Sequence, residues 1–188
     1  MKKIFFYSLM CMSMSLISCD KIKDATSKDF KVNNVSFDFT AKAGTSTMST
    51  PVMSLRSEGV TQSFSETRTI DISELGSSEV TEYKNKISQV AMDHSLVKVT
   101  ADAPGTFIVE NLTLMSPAIP GSMVIPSYTL GGTLSLTQAM EAYMILLVMK
   151  LVGDKTVTVT VSGLTNAPPG TTLSISYESD MIFTASVF

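Results

Sequence analysis

Tryptophan is absent from this 188-residue chain, histidine occurs once (His94) and arginine twice (Arg56 and Arg68). One histidine leaves no second imidazole for a histidine-based metal site, and any serine triad would have to use His94 itself. Two arginines and a net charge of −3 argue against nucleic acid, which needs clustered cations to displace counterions. Without tryptophan, only tyrosine and phenylalanine could stack on a sugar. Both cysteines, Cys11 and Cys19, fall within the first nineteen residues, so the remainder has neither a thiol nucleophile nor a disulfide. No G-x-S-x-G elbow, P-loop or dinucleotide fingerprint occurs, and Gly131-Gly132 reads as a turn. The acidic residues show no EF-hand or other ligand spacing, so no metal and no cofactor is expected.

What is present begins with MKKIFFYSLMCMSMSLISC. Lys2 and Lys3 precede an uncharged apolar run from Ile4 to Ile17, the layout of a secretory signal too short for a stable span. Leu16-Ile17-Ser18-Cys19 is not a small-residue cleavage site; it resembles a bacterial lipobox. That resemblance implies cleavage before Cys19, a diacylglycerol on its sulfur and acylation of the new amine (palmitate being a usual fatty acid). An ordinary signal that happens to end in cysteine is the competing reading. Residues 1–18 are thus expected to be a lipoprotein signal peptide, 19–31 (CDKIKDATSKDFK) a flexible tether, and 32–188 one domain. Losing Lys2 and Lys3 from 14 basic residues leaves 12 against 17 acidic, a net charge of −5 for the processed chain. A chain of that length buries roughly 70% of its unfolded surface and needs no covalent staple.

Alternation dominates the rest. Val35, Phe37, Phe39 and Ala41 share one parity, as do Val157, Val159 and Val161, and Leu173 through Val187. Residues 42–60, rich in Ser, Thr and Gly, read as a hairpin loop with a short strand near Val52–Leu55. Thr61–Ile72, Leu96–Ala101, Phe107–Leu114 and Tyr128–Leu136 read as extended. Two helices are expected. One starts at Ser77-Ser78-Glu79 and carries Val80, Tyr83, Ile87 and Val90 as its stripe. The other is Gln138–Val152, with Ser135 and Gln138 as a capping box and Gly153 as C-cap. Its apolar residues surround the axis, so it either fills a core or lines an apolar pocket; a buried strand is the competing assignment.

Ile70-Asp71-Ile72-Ser73, a helix, a strand, Pro104-Gly105-Thr106 and a strand recur as Leu134-Ser135-Leu136-Thr137, a helix, a strand, Pro169-Gly170-Thr171 and a strand. This order points to a duplicated strand–helix–strand–strand unit, with chance as its rival because Pro-Gly-Thr is an easy turn. Tyr83-Lys84-Asn85-Lys86-Ile87, read as helical, followed by Val/Thr strands resembles a broad group of exported gram-negative lipoproteins, mostly of unknown function. The likeness spans about residues 32–188 and implies a two-sheet β-sandwich, mainly β with two helices.

Candidate chemistry is sparse. Glu74, Glu79 and Glu82 cluster at a helix start, where the dipole favours them. Glu178 and Asp180 share a strand face, as a solvated face or bulge rather than an acid/base pair. His94 reads as a surface residue. The expectation is a non-enzymatic, lipid-anchored binding or structural module of the cell envelope, lipidated at Cys19 and sited at the outer membrane. It meets the membrane through its lipid and a protein, glycan or lipid partner through its domain. The alternative is a carrier of an apolar ligand or lipid, with the Gln138–Val152 helix as pocket wall.

Overall fold

A computed structural model describes residues 27–44 and 61–186. The signal, Cys19 and the expected strand at Val52–Leu55 lie outside the described residues. Along the chain run β1 (Ser27–Lys42), β2 (Gln62–Asp71), a 3-10 helix (Ile72–Leu75), α1 (Ser78–Tyr83), β3 (Ile87–Ala101) and β4 (Ile108–Met115). Then come β5 (Met123–Thr129), β6 (Thr133–Ser135), α2 (Gln138–Asp154), β7 (Thr156–Thr165) and β8 (Thr172–Ser186).

The strands form two four-stranded sheets, β1-β8-β3-β6 (sheet A) and β2-β7-β4-β5 (sheet B), with every pairing antiparallel. The expected two-sheet β-sandwich is the fold found. Pairs β1–β8, β2–β7, β3–β6 and β4–β5 are those of one long hairpin, and β3–β8 and β4–β7 are added when that hairpin rolls up. This is the wiring of a jelly roll. Moving every strand four places along the chain exchanges the two sheets, which matches the recurrence read in the sequence. The rolled hairpin has that equivalence of strand positions built in.

Strand alternation carries the core. Phe37, Phe39 and Ala41 of β1, Val157, Val159 and Val161 of β7, and Leu173, Ile175, Tyr177, Met181, Phe183 and Ala185 of β8 are all buried. Phe39 meets Tyr177 edge-on at 6.1 Å between ring centroids. The Tyr177 hydroxyl is buried without a hydrogen-bond partner, and burial pushes its pKa well above the ordinary tyrosine value. Opposite Phe64 of β2 stands Gly163 of β7. A Cβ there would sit 2.8 Å from the Phe64 ring and 3.2 Å from the Glu110 carbonyl oxygen, so only glycine lets the ring lie across the strand.

Several boundaries depart from expectation. Ser27–Lys31, expected in the tether, are paired strand, with Phe30 buried and stacked on Phe183 at 5.5 Å. The first helix stops at Tyr83, and Ile87 and Val90 belong to β3. Their three-residue spacing imitates a helix because the register slips between Ile87 and Gln89. That slip turns both side chains to the core face of sheet A, level with buried Ala185 and Phe183, despite their odd separation. The Tyr83–Ile87 motif is accordingly a helix end, a turn and a strand start. Between Tyr128 and Leu136 the chain is not one extended piece: Leu130 and Gly131 turn it, Gly131 with φ 87, and β6 follows.

The second helix is α2, capped by Thr137, whose side chain accepts from the Met140 N–H, and not by Ser135, which ends β6. It runs through Gly153 to Asp154, and Lys155 takes the left-handed cap at φ 71. One α2 face buries Tyr143, Met144, Leu147, Val148, Leu151 and Val152 against β3, β5 and β7. The Tyr143 hydroxyl accepts the Ser116 N–H at 3.0 Å, while burial raises its pKa. Leu146, on the opposite face, is 51% exposed. No helix among the described residues is long and apolar enough to cross a membrane.

Candidate functional site

Local hydrogen bonding explains the first acidic cluster. Glu74 Oε1 accepts the Asp71 N–H at 3.0 Å and closes a capping box on the 3-10 helix, while its other oxygen pairs with Arg68. Glu79 pairs with Lys28 at 2.8 Å. Asp71 and Asp102 have carboxyls held below the usual aspartate value by hydrogen bonds from Ser73 and Thr172, side chain first and backbone second.

Glu178 and Asp180 do share the outer face of β8, which is the second strand of sheet A. Asp180 sits between two bulges. The register slips by one residue between Val32 and Val35 on β1, and again between Asp93 and Leu96 on β3. Each bulge holds a residue with positive φ, Asn34 at 55° and His94 at 51°. Asp180 accepts the Asn34 N–H at 3.0 Å and meets Lys31 Nζ at 3.0 Å, and these two contacts, in that order, lower its pKa. Inside the sheet at the same level, the buried hydroxyls of Ser95 and Ser179 are 2.9 Å apart. His94 is 78% exposed, with Nδ1 3.1 Å from Asp93 Oδ2. Among the described residues, no group of three or more His, Asp or Glu could hold a metal ion.

Further along the same face lies an open groove of about 410 Å³. Its floor follows from strand register. Asp38, Ser176 and Lys98 stand side by side across β1, β8 and β3, and Thr40, Ser174 and Thr100 form the next row. Glu178 also lines it. The Ser36 hydroxyl donates to Asp38 Oδ2 at 3.0 Å and lies 3.0 Å from Ser176 Oγ, which reaches Glu178 Oε1 at 3.3 Å. A chain of hydroxyls therefore joins the two carboxylates across strands β1 and β8. Lys98 forms no ion pair among the described residues. Sequence reading placed both Glu178 and Asp38 on polar strand faces but singled out neither Asp38 nor Lys98 as a site residue. Each is a lone charge between two buried apolar neighbours, which marks an outward position without revealing which strands adjoin.

Comparison with known proteins adds little. No family and no curated protein matches the chain. Among solved structures, a chain of Desmodium yellow mottle tymovirus aligns over 86% of this chain and 84% of its own length, at 11% identity and a TM-score of 0.28. A likeness of that size carries no argument about fold or function.

Proposed function

We propose that this protein is a lipid-anchored, non-enzymatic binding or structural module of the bacterial cell envelope, held at the outer membrane by acyl chains on Cys19. The observation that carries the reading is Leu16-Ile17-Ser18-Cys19 closing an apolar signal-like run. Each buried methylene of an anchor contributes ~0.8 kcal/mol, so two or three chains hold firmly. The non-catalytic part is supported by how the acidic groups are used: Glu74 in a cap, Glu79 in an ion pair, Asp180 in a bulge. Burial of Met144, Leu147 and Leu151 beneath α2 favours the module over a carrier of apolar ligands. The test is growth of an expressing gram-negative strain with labelled palmitate. Wild type should take up label and sediment with outer membranes, and Cys19→Ala should do neither. Equal labelling of both refutes the reading.

A further inference from the structure

We propose that the groove on the outer face of sheet A binds a neutral, hydroxyl-rich ligand, a short stretch of glycan. In this assignment Asp38 and Glu178 accept ligand hydroxyl protons, and Lys98 donates to a ligand oxygen. The proposal deepens the binding-module reading and rests on it.

Three observations converge on that chemistry. The first is how the charges are disposed. Lys28, Lys31, Lys150 and Arg68 each meet a carboxylate at the surface. Lys98, like Lys84, Lys86 and Lys155, meets none among the described residues, but Lys98 alone of these shares a groove with two carboxylates. Asp38 and Glu178 are engaged by the hydroxyls of Ser36 and Ser176 instead. An ionised carboxylate has about four acceptor positions, so each keeps spare lone pairs while its orientation is fixed. An unpaired ammonium with three donors completes the set.

The second observation is geometry. Asp38 and Lys98 flank Ser176 on neighbouring strands, so they stand two strand spacings, about 10 Å, apart. A sugar ring with its hydroxyls fits between an acceptor wall and a donor wall at that distance. Thr40, Ser174 and Thr100 continue the floor with groups that both donate and accept. Vicinal hydroxyls are the ligand groups that need both.

The third is what the groove lacks. Its apolar lining residues, Phe39 and Ile175, are 2% and 1% exposed and belong to the core, so an apolar ligand would bury almost nothing there. Two carboxylates against one ammonium repel a polyanion. With no aromatic platform, recognition rests on hydrogen bonds in an open site, and binding is weak.

The test uses the full lipidated chain in a non-glycosidic detergent, titrated with malto-, cello-, xylo-, manno- and chitotetraose by saturation-transfer NMR, with tetragalacturonate as the anionic comparison. At least one neutral tetraose should saturate, and Asp38→Asn and Lys98→Met should each weaken it tenfold or more. Glu110→Gln on sheet B should leave binding unchanged, and all variants should keep the wild-type circular dichroism. Saturation by no neutral tetraose, binding that survives both groove substitutions, or tighter binding of the galacturonate overturns the proposal. Palmitate labelling at Cys19 reads out independently, so a failed groove leaves the anchored-module reading intact, and a failed anchor is seen without any sugar.

Discussion

The carboxylate of Asp180 accepts the backbone N–H of Asn34 at 3.0 Å, tying β8 to a bulge on β1 that forces Asn34 to φ 55. The matching bulge on β3 puts His94 at φ 51 on the other flank. One carboxylate between two kinks thus fixes where a long strand may let its neighbours slip, and it does so from the solvent side of the sheet.

That relationship makes an acid-dependent prediction. The groups around Asp180 are Lys31 on β1, Asp93 and His94 on β3, and Glu178 on its own strand. Its folded pKa is lowered, so between the folded value and the unfolded value of about 3.9 the unfolded chain binds more protons. Stability from this contact is present above about pH 4 and is lost as pH falls through the folded pKa. Asp71 and Asp102 act in the same direction. Urea midpoints should therefore decline below pH 4, and Asp180→Asn should decline less steeply. Parallel acid limbs for variant and wild type would count against the assignment.

Gly163 and Phe64 supply a packing prediction. Gly163→Ala drives a methyl into the Phe64 ring and toward the Glu110 carbonyl, so it should cost about 1–3 kcal/mol. Phe64→Leu alone should also destabilise, but the two together should cost less than their sum, because the smaller side chain vacates the space the methyl needs. Denaturant unfolding of the four proteins gives the coupling; strict additivity would contradict the contact.

Tyr177 carries a hydroxyl that the core does not satisfy. Tyr177→Phe keeps the ring against Phe39 and removes the unpaired group, so stability should stay level or rise by about 1 kcal/mol. A loss above ~1 kcal/mol would reveal a partner for that hydroxyl.

How legible all this was depends on whether the information is local. β1, β7 and β8 show in the sequence because each alternates apolar and polar residues over its length. The first half of β3 does not, since the bulge at Ser88 spaces Ile87 and Val90 as a helix would. The extent of α2 was clear from Ala, Met and Leu, but its caps were misplaced. Thr137 and Lys155 do the work assigned to Ser135 and Gly153, because a non-glycine residue took the left-handed position. The groove was invisible for a different reason. Asp38 and Ser176 become neighbours only when β1 and β8, far apart along the chain, pair, and no local pattern encodes that pairing.

For α2, burial separates neighbouring leucines. Leu147 is 1% exposed and Leu146 is 51% exposed. Leu147→Ala and Met144→Ala should each cost ~2–5 kcal/mol, and Leu146→Ala under ~0.5 kcal/mol. Losses below ~1 kcal/mol for both buried positions, with lipid co-purifying with the wild type, would favour a ligand pocket over a filled core.

The anchored-module account stands or falls on the state of Cys19. Intact-mass spectrometry of the protein purified from gram-negative membranes measures it directly. The account predicts a polypeptide starting at Cys19 whose mass exceeds that of residues 19–188 by a diacylglyceryl group and one further acyl chain. A chain that retains residues 1–18, or one beginning at Cys19 or elsewhere with no lipid, would contradict it.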